Sequence, residues 1–181
     1  FKYPGVVDHI GVADAKTGQV TPLVDIKKAA LYSVTSLAFD AQSRTLFYID
    51  DANSYRDLMA LDLETGQARV LLKDARIGDI AFNPQDKSIW GVRTQNGATG
   101  FVRIEHPYDT WKMVHQFPYQ HVPFDLDISP DGKWLSASMG EFDGEQYLRV
   151  WPMEAVAQGD LRTASEFKFG VSTPESFVFS P

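Results

Sequence analysis

Asp79 and Asp125 each directly precede a short apolar motif, and Ser36 and Ser176 precede two further copies of the same motif. If the four copies are equivalent strands, these four polar residues lie around one opening in the fold. Carboxylates that converge there could hold Ca²⁺ or a lysine or arginine of a partner. Asp79 and Asp125 are therefore candidate metal ligands and binding residues, and Ca²⁺ is a candidate cofactor. Capping of turns by the carboxylates is the ordinary alternative.

A second candidate is the segment 115–121, which carries aromatic and histidine side chains between two predicted repeats. Tyr119 and His121 combine apolar area with polar tips, which suits protein recognition. Tyr55 occupies another polar loop and is a further candidate binding residue. The alternative is a loop whose aromatic rings simply pack against the core.

Residue patterns of known catalytic sites are not found in the sequence. The nearest approach to a Gly-x-Ser-x-Gly elbow is 136–140, which lies on a predicted strand without a following helix. The histidines form no i, i+4 pair for zinc, and the acidic clusters at 50–57 and 141–145 lack the fixed spacing of an EF-hand. Gly97-Ala-Thr-Gly100 lacks the lysine of a phosphate-binding loop. We therefore expect this chain not to be an enzyme.

Composition excludes further classes of function. The 181 residues carry 17 basic and 24 acidic side chains and a net charge of −7, which disfavours nucleic-acid binding. Apolar residues make up 44% of the chain, enough for a packed domain, but no apolar run approaches the roughly 18 residues of a membrane helix. Cysteine is absent, so disulfides and thiolate metal sites are excluded. Because the chain opens on Phe1 with neither an initiator Met nor a signal-type segment, we expect a segment upstream to have been removed.

Two internal repeats set the elements that must position these residues. The pattern Asp-x-x-Thr-Gly-Gln occurs at 14–19 and again 48 residues later at 62–67, each time between apolar runs, as in a hairpin turn. The apolar motif described above ends in Ser-Pro or a degenerate form of it and returns at intervals of 43 to 51 residues, at 37–40, 80–84, 126–132 and 177–181. Each complete copy is followed by three further predicted strands.

Four strands per repeat of this length are typical of a β-propeller blade, so the predicted fold is all-β, a β-propeller of four-stranded antiparallel blades. A β-sandwich is the alternative, but it gives no reason for the same turn to return at the same phase. The whole chain reads as one propeller region with about three and a half blades present. Its predicted parts are a half-blade at 1–33, blades at 34–76, 77–122 and 123–172, and the inner strand of a next blade at 173–181. We expect a fragment of a larger propeller; a closed four-bladed ring is the alternative.

The run Ser-Pro-Asp-Gly-Lys-Trp-Leu at 129–135, its degenerate copies and the two Asp-x-x-Thr-Gly-Gln turns resemble the TolB-type, WD40-like propeller repeat of bacteria. The resemblance covers nearly the whole chain. It implies a propeller that binds proteins in the periplasm or cell envelope, although a cytoplasmic location stays open. Similar repeats cap prolyl-oligopeptidase-type serine peptidases.

Three functions follow as hypotheses. The first is a non-catalytic propeller that binds a protein or peptide partner, with a basic partner suiting the acidic loops, and with neither nucleic-acid binding nor membrane insertion. The second is the substrate-gating propeller of a serine hydrolase whose catalytic domain lies outside this chain. The third is a propeller that binds a small molecule or sugar with a cation in its channel.

Overall fold

The repeats fold into antiparallel sheets whose turns are built by the recurring motifs. The computed structural model describes residues 8–26, 36–50, 55–175 and 177–180. These residues form fourteen strands and one short helix: β1 (Asp8–Ala13), β2 (Val20–Ile26), β3 (Leu37–Asp40), β4 (Thr45–Asp50), β5 (Asp57–Asp62), β6 (Ala68–Leu72), β7 (Ile77–Phe82), β8 (Ile89–Gln95), β9 (Ala98–Ile104), β10 (Lys112–Gln116), β11 (Val122–Ile128), β12 (Trp134–Gly140), β13 (Gln146–Pro152), α1 (Met153–Ala157) and β14 (Ser165–Gly170).

The sheets have the topology of propeller blades. Strands β3 to β6, β7 to β10 and β11 to β14 form three four-stranded sheets in sequential antiparallel order, and β1 pairs with β2 in a two-stranded sheet. The first strands of successive four-stranded sheets, β3, β7 and β11, lie next to one another. This arrangement confirms the predicted propeller of four-stranded blades.

The Asp-x-x-Thr-Gly-Gln turns form as predicted because their hydrogen bonds are local. The Asp14 carboxylate accepts from the backbone N–H of Thr17 at 2.7 Å, and the Asp62 carboxylate accepts from Thr65 in the same way at 3.1 Å. The glycine of the first turn, Gly18, has a φ of +70°, which residues with a side chain rarely adopt. Each turn thus joins two strands without help from the rest of the fold.

The core lies between the sheets. Between the first and second blades pack apolar side chains that include Phe47, Ile77 and Ile104. Between the second and third blades the buried indoles of Trp90 and Trp151 anchor the packing, and Trp151 meets the Phe101 ring edge-on at 5.7 Å. This face-to-face packing of sheets holds the loops at their ends in fixed positions.

The C-terminal motif was predicted to be an inner strand, but residues 177–180 are not in a strand. The backbone N–H of Phe179 donates to the Asp127 carboxylate at 3.2 Å, and the Ser138 hydroxyl donates to the Pro174 carbonyl. An isolated strand has no ladder partners, so side-chain contacts with the third blade fix this segment instead.

The short helix α1 covers the third blade with Met153 and Val156. Among the residues the structure describes, no helix is long and apolar enough to cross a membrane.

Candidate functional site

The candidate site lies at the end of the blades where the inner strands begin, which we call the upper face. Antiparallel pairing brings the loops 73–76, 96–97, 117–121 and 141–145 to this end, together with residues 55–56. Loops from three blades therefore share one rigid surface, an arrangement that propellers and other scaffolds use for binding.

Asp79 and Asp125 both lie in β-bulges of inner strands. The register of β7 against β8 shifts between Ile77 and Ile80, and that of β11 against β12 shifts between Phe124 and Asp127. Asp125 has a φ of +50°, in the left-handed region. Bulges of this kind re-aim side chains next to functional sites, and here they turn the two aspartates toward each other.

The two aspartates interact directly. Burial raises the pKa of Asp79, and the negative charge of Asp125 raises it further. The backbone N–H of Asp125 donates to the Asp79 carboxylate, and Arg56 lies close enough to lower the Asp79 pKa in part. The structure thus brings together two of the sequence-predicted site residues, at the junction of the second and third blades.

The serines predicted at the same opening behave differently. The hydroxyl of Ser36 accepts a hydrogen bond from the backbone N–H of Ile80 at 2.9 Å and lies 3.4 Å from the Ile80 carbonyl. It therefore ties the first inner strand to the second. Ser176 lies outside the described residues.

A cation site at Asp79 and Asp125 stays a prediction. Within the described ranges, no group of three or more histidine or acidic side chains is placed to hold a metal ion. Two carboxylates supply only part of the six to eight oxygen ligands that Ca²⁺ takes, so water and backbone carbonyls would have to supply the rest.

Tyr119 is the most exposed aromatic side chain of the loop that joins the second and third blades. Its side chain is 73% exposed, and its ring lies over Gly97, where an added Cβ would come within 3.2 Å of Tyr119 Cε2. By contrast, Phe117 of the same loop is buried against Phe101 at 5.0 Å. Phe117 thus anchors the loop to the core, and Tyr119 presents an exposed aromatic ring.

His121 belongs to a charged network on the third blade. Its Nδ1 contacts the Glu141 carboxylate, which also forms an ion pair with Arg149 at 2.6 Å. Arg149 in turn pairs with Glu166 at 2.6 Å. The network orients His121, the last residue of the loop that carries Tyr119.

Tyr55 contacts a group that sequence reasoning missed. The guanidinium carbon of Arg76 lies 3.7 Å from the centre of the Tyr55 ring. Arg56 and Arg93 lie on the neighbouring elements of the same junction, between the first and second blades. The sequence feature that could have pointed to these arginines is that residues 56, 76 and 93 each flank the upper end of a predicted strand.

The serines of β12 are not placed as nucleophiles. Ser136 and Ser138 are both buried, and the Ser138 hydroxyl is hydrogen-bonded to the backbone of Pro174. The described residues therefore show no exposed serine at the position where the sequence comes nearest to a nucleophile elbow.

The fold and its upper face define the class of the protein as a β-propeller. No protein-family model matches the sequence, and no curated protein matches it. Among solved structures, TolB from Acinetobacter baumannii superimposes with a TM-score of 0.69 at 14% identity, over 90% of this chain and 37% of that chain. A provisional TolB from Agrobacterium tumefaciens gives a TM-score of 0.64 at 11% identity, over 88% of this chain and 61% of that chain.

The propeller is also similar to that of a prolyl endopeptidase, with a TM-score of 0.56 at 14% identity over 80% of this chain and 24% of that chain. These likenesses confirm the TolB-type propeller fold and its similarity to peptidase propellers. The chain spans 37% and 61% of the length of the two TolB structures.

Proposed function

We propose that this chain is a non-catalytic propeller that binds a partner protein through its upper face. The observation that carries the proposal is the position of Tyr119, an exposed aromatic side chain that lies over Gly97 on the loop between two blades. Tyrosines of this kind supply large contact area at low entropic cost and are enriched in interface hot spots.

Charged groups on the same upper face as Tyr119 give the surface its selectivity. Asp79 and Asp125 lie toward the inner strands, and Glu141 lies beside His121. These acidic groups favour basic groups on the facing part of the partner. A location in the bacterial periplasm or cell envelope accords with the TolB-type fold and is part of this proposal.

Site-specific photo-crosslinking would test the proposal in the organism's own extract. A photoreactive amino acid at position 119 is expected to capture one discrete partner, whereas the same group at exposed Thr163, on the opposite end of the third blade, is not. Equal capture at both positions would contradict the proposal.

The captured partner is then purified and its affinity measured. The double substitution Tyr119→Ala and Asp125→Ala is expected to weaken binding by at least about tenfold, as loss of a hot spot does. The matched control is Thr163→Ala. Unchanged affinity in the double variant would remove the upper face from the interaction.

A substrate-gating role is the second candidate, supported by the similarity to the prolyl endopeptidase propeller. In that case the intact protein carries a hydrolase domain beyond these residues. The complete reading frame decides between the two, because a nucleophile elbow in the same frame would favour gating.

A further inference from the structure

Three arginines meet at the upper face, at the junction of the first and second blades. The backbone N–H of Arg76 donates to the Arg56 carbonyl at 3.2 Å, and the carbonyl of Arg76 accepts from the N–H of Thr94, the residue after Arg93, at 3.0 Å. These two bonds place the three arginines on adjacent backbone segments. Their side chains are all partly buried.

Rings, backbone groups and one side-chain amide, not carboxylates, orient these guanidinium groups: an Nη of Arg93 donates to Gln95 Oε1 at 2.6 Å. Arg76 stacks on Tyr55 at 3.7 Å, and Arg93 lies 4.2 Å from the centre of the Trp111 ring. The Nε of Arg93 also donates to the Ala75 carbonyl at 3.1 Å. Stacking fixes the plane of a guanidinium and leaves N–H groups at its edge available to a ligand.

Half of the eight arginines of the chain are held by ion pairs instead. Four arginines elsewhere each pair with an acidic side chain within 4 Å: Arg44, Arg103, Arg149 and Arg162. Within the described part of the chain, Arg56, Arg76 and Arg93 form no such pair; Arg69, which is exposed, forms none either. The positive charge of Arg56 lowers the pKa of Asp79 in part, and the Arg56 guanidinium lies against Gly78.

Mutual repulsion adds to this arrangement. Burial lowers the pKa of Arg93, and the positive charge of Arg76 lowers it further. In a chain of net charge −7, the neighbouring positive charges of Arg76 and Arg93 carry an electrostatic cost that a bound anion would relieve.

We propose that Arg56, Arg76 and Arg93 form a carboxylate-binding site that takes an acidic segment of the partner protein. The inference rests on the proposed function, because it names the chemistry of the partner. Planar guanidinium groups match the two oxygens of a carboxylate, and the exposed ring of Tyr55 offers apolar contact to the rest of the segment. The upper face would then bind a partner that places acidic groups opposite the junction of the first and second blades. The same partner would place basic groups opposite Asp79 and Asp125.

The test uses simple probes on the whole chain. Isothermal titration at about 50 mM salt compares a blocked tetraglutamate peptide, a blocked tetralysine peptide and inorganic phosphate, since low salt limits screening. Saturable one-to-one binding of tetraglutamate is expected for the wild type. Arg76→Gln is expected to weaken it at least about tenfold, the loss typical of a charge-assisted contact.

The matched control is Arg162→Gln, which removes the same charge from an exposed ion pair with Asp160 outside the upper face. It is expected to change the affinity less than about twofold. Arg56→Gln serves as the second site variant if Arg76→Gln lowers the melting temperature. No saturable binding by the wild type, an equal loss in the control, or binding of phosphate or tetralysine as tight as that of tetraglutamate would each overturn the inference.

The experiments distinguish failure of the carboxylate site from failure of the proposed protein-binding face. Loss of tetraglutamate binding only in the arginine variants supports the carboxylate site even if the crosslinking at position 119 finds no partner. Capture of a partner at position 119 with no tetraglutamate binding keeps the interaction surface and removes the carboxylate site.

Discussion

The carboxylate of Asp79 accepts a hydrogen bond from the backbone N–H of Asp125, and the negative charge of Asp125 lies beside it. The two groups come from bulges in consecutive inner strands. The hydrogen bond favours the ionised carboxylate, whereas burial and the second charge disfavour it more strongly, and the net effect is a raised pKa. The junction thus holds a charge that the folded chain is not built to stabilise.

The substitution Asp79→Asn should therefore stabilise the protein at neutral pH. A carboxyl whose pKa is higher in the folded state binds its proton more tightly there, so stability is lost as the pH rises from the unfolded pKa through the folded pKa. Removing the charge therefore recovers the lost stability at pH values above the folded pKa. We expect the melting temperature at pH 7 to rise by about 2–4 °C, the shift that roughly 1 kcal/mol gives in a chain of this size.

Asp131→Asn is the matched control with the opposite sign. The Ser129 hydroxyl and the Lys133 backbone N–H hold the pKa of Asp131 below its usual value, so its charge stabilises the turn at neutral pH. Thermal melts between pH 3 and pH 7 should show a gain for Asp79→Asn and a loss for Asp131→Asn, each shrinking as the pH falls. A loss for both at pH 7 would contradict the assignment of Asp79.

Trp151→Ala should be among the most destabilising substitutions in the chain. The indole is 1% exposed, meets Phe101 edge-on and donates its N–H to the Leu161 carbonyl at 3.0 Å. Loss of such a side chain costs about 3–5 kcal/mol in unfolding free energy, measured by urea denaturation. Trp134→Ala, at a position 43% exposed, is the control and should cost far less. Equal losses would mean that Trp151 is not a blade anchor.

Gly100→Ala tests the close pairing of β9 with β10. A Cβ at Gly100 would lie 2.5 Å from the His115 carbonyl oxygen, a backbone atom that cannot move aside without shifting the strand. We expect a loss of about 1–3 kcal/mol in unfolding free energy. At Gly140 the nearest atoms would be 3.6 Å away, so Gly140→Ala should be neutral or slightly stabilising.

The fold was predictable because its turns are local. The carboxylates of Asp14 and Asp62 bond backbone groups three residues away, and a pattern of six residues contains all that such a turn needs. The motif at 177–179 has the same apolar pattern as the inner strands, yet residues 177–180 are not in a strand. A strand depends on hydrogen bonds to its neighbours, which the motif does not encode.

The candidate site was predictable only in part. Asp79 and Asp125 came from the phase of the repeat, and the structure brings them together. The bulges that turn them toward each other depend on strand register, which the sequence does not reveal. The grouping of Arg56, Arg76 and Arg93 depends on pairings between segments about twenty residues apart, and the residue types alone gave no reason to connect them.

Binding of Ca²⁺ at Asp79 and Asp125, expected from the sequence, can be tested by thermal melting. A ligand that binds only the folded state stabilises it, and a cation would also neutralise the repulsion between the two carboxylates. Addition of 5 mM CaCl₂, a concentration of order 10⁻³ M that suffices for weak calcium sites, should raise the wild-type melting temperature by at least about 2 °C. The same addition should leave Asp79→Asn unchanged and should still stabilise Asp131→Asn, because Asp131 lies at the opposite end of its blade. No rise in the wild type, or an equal rise in Asp79→Asn, would show that these two carboxylates do not bind the ion.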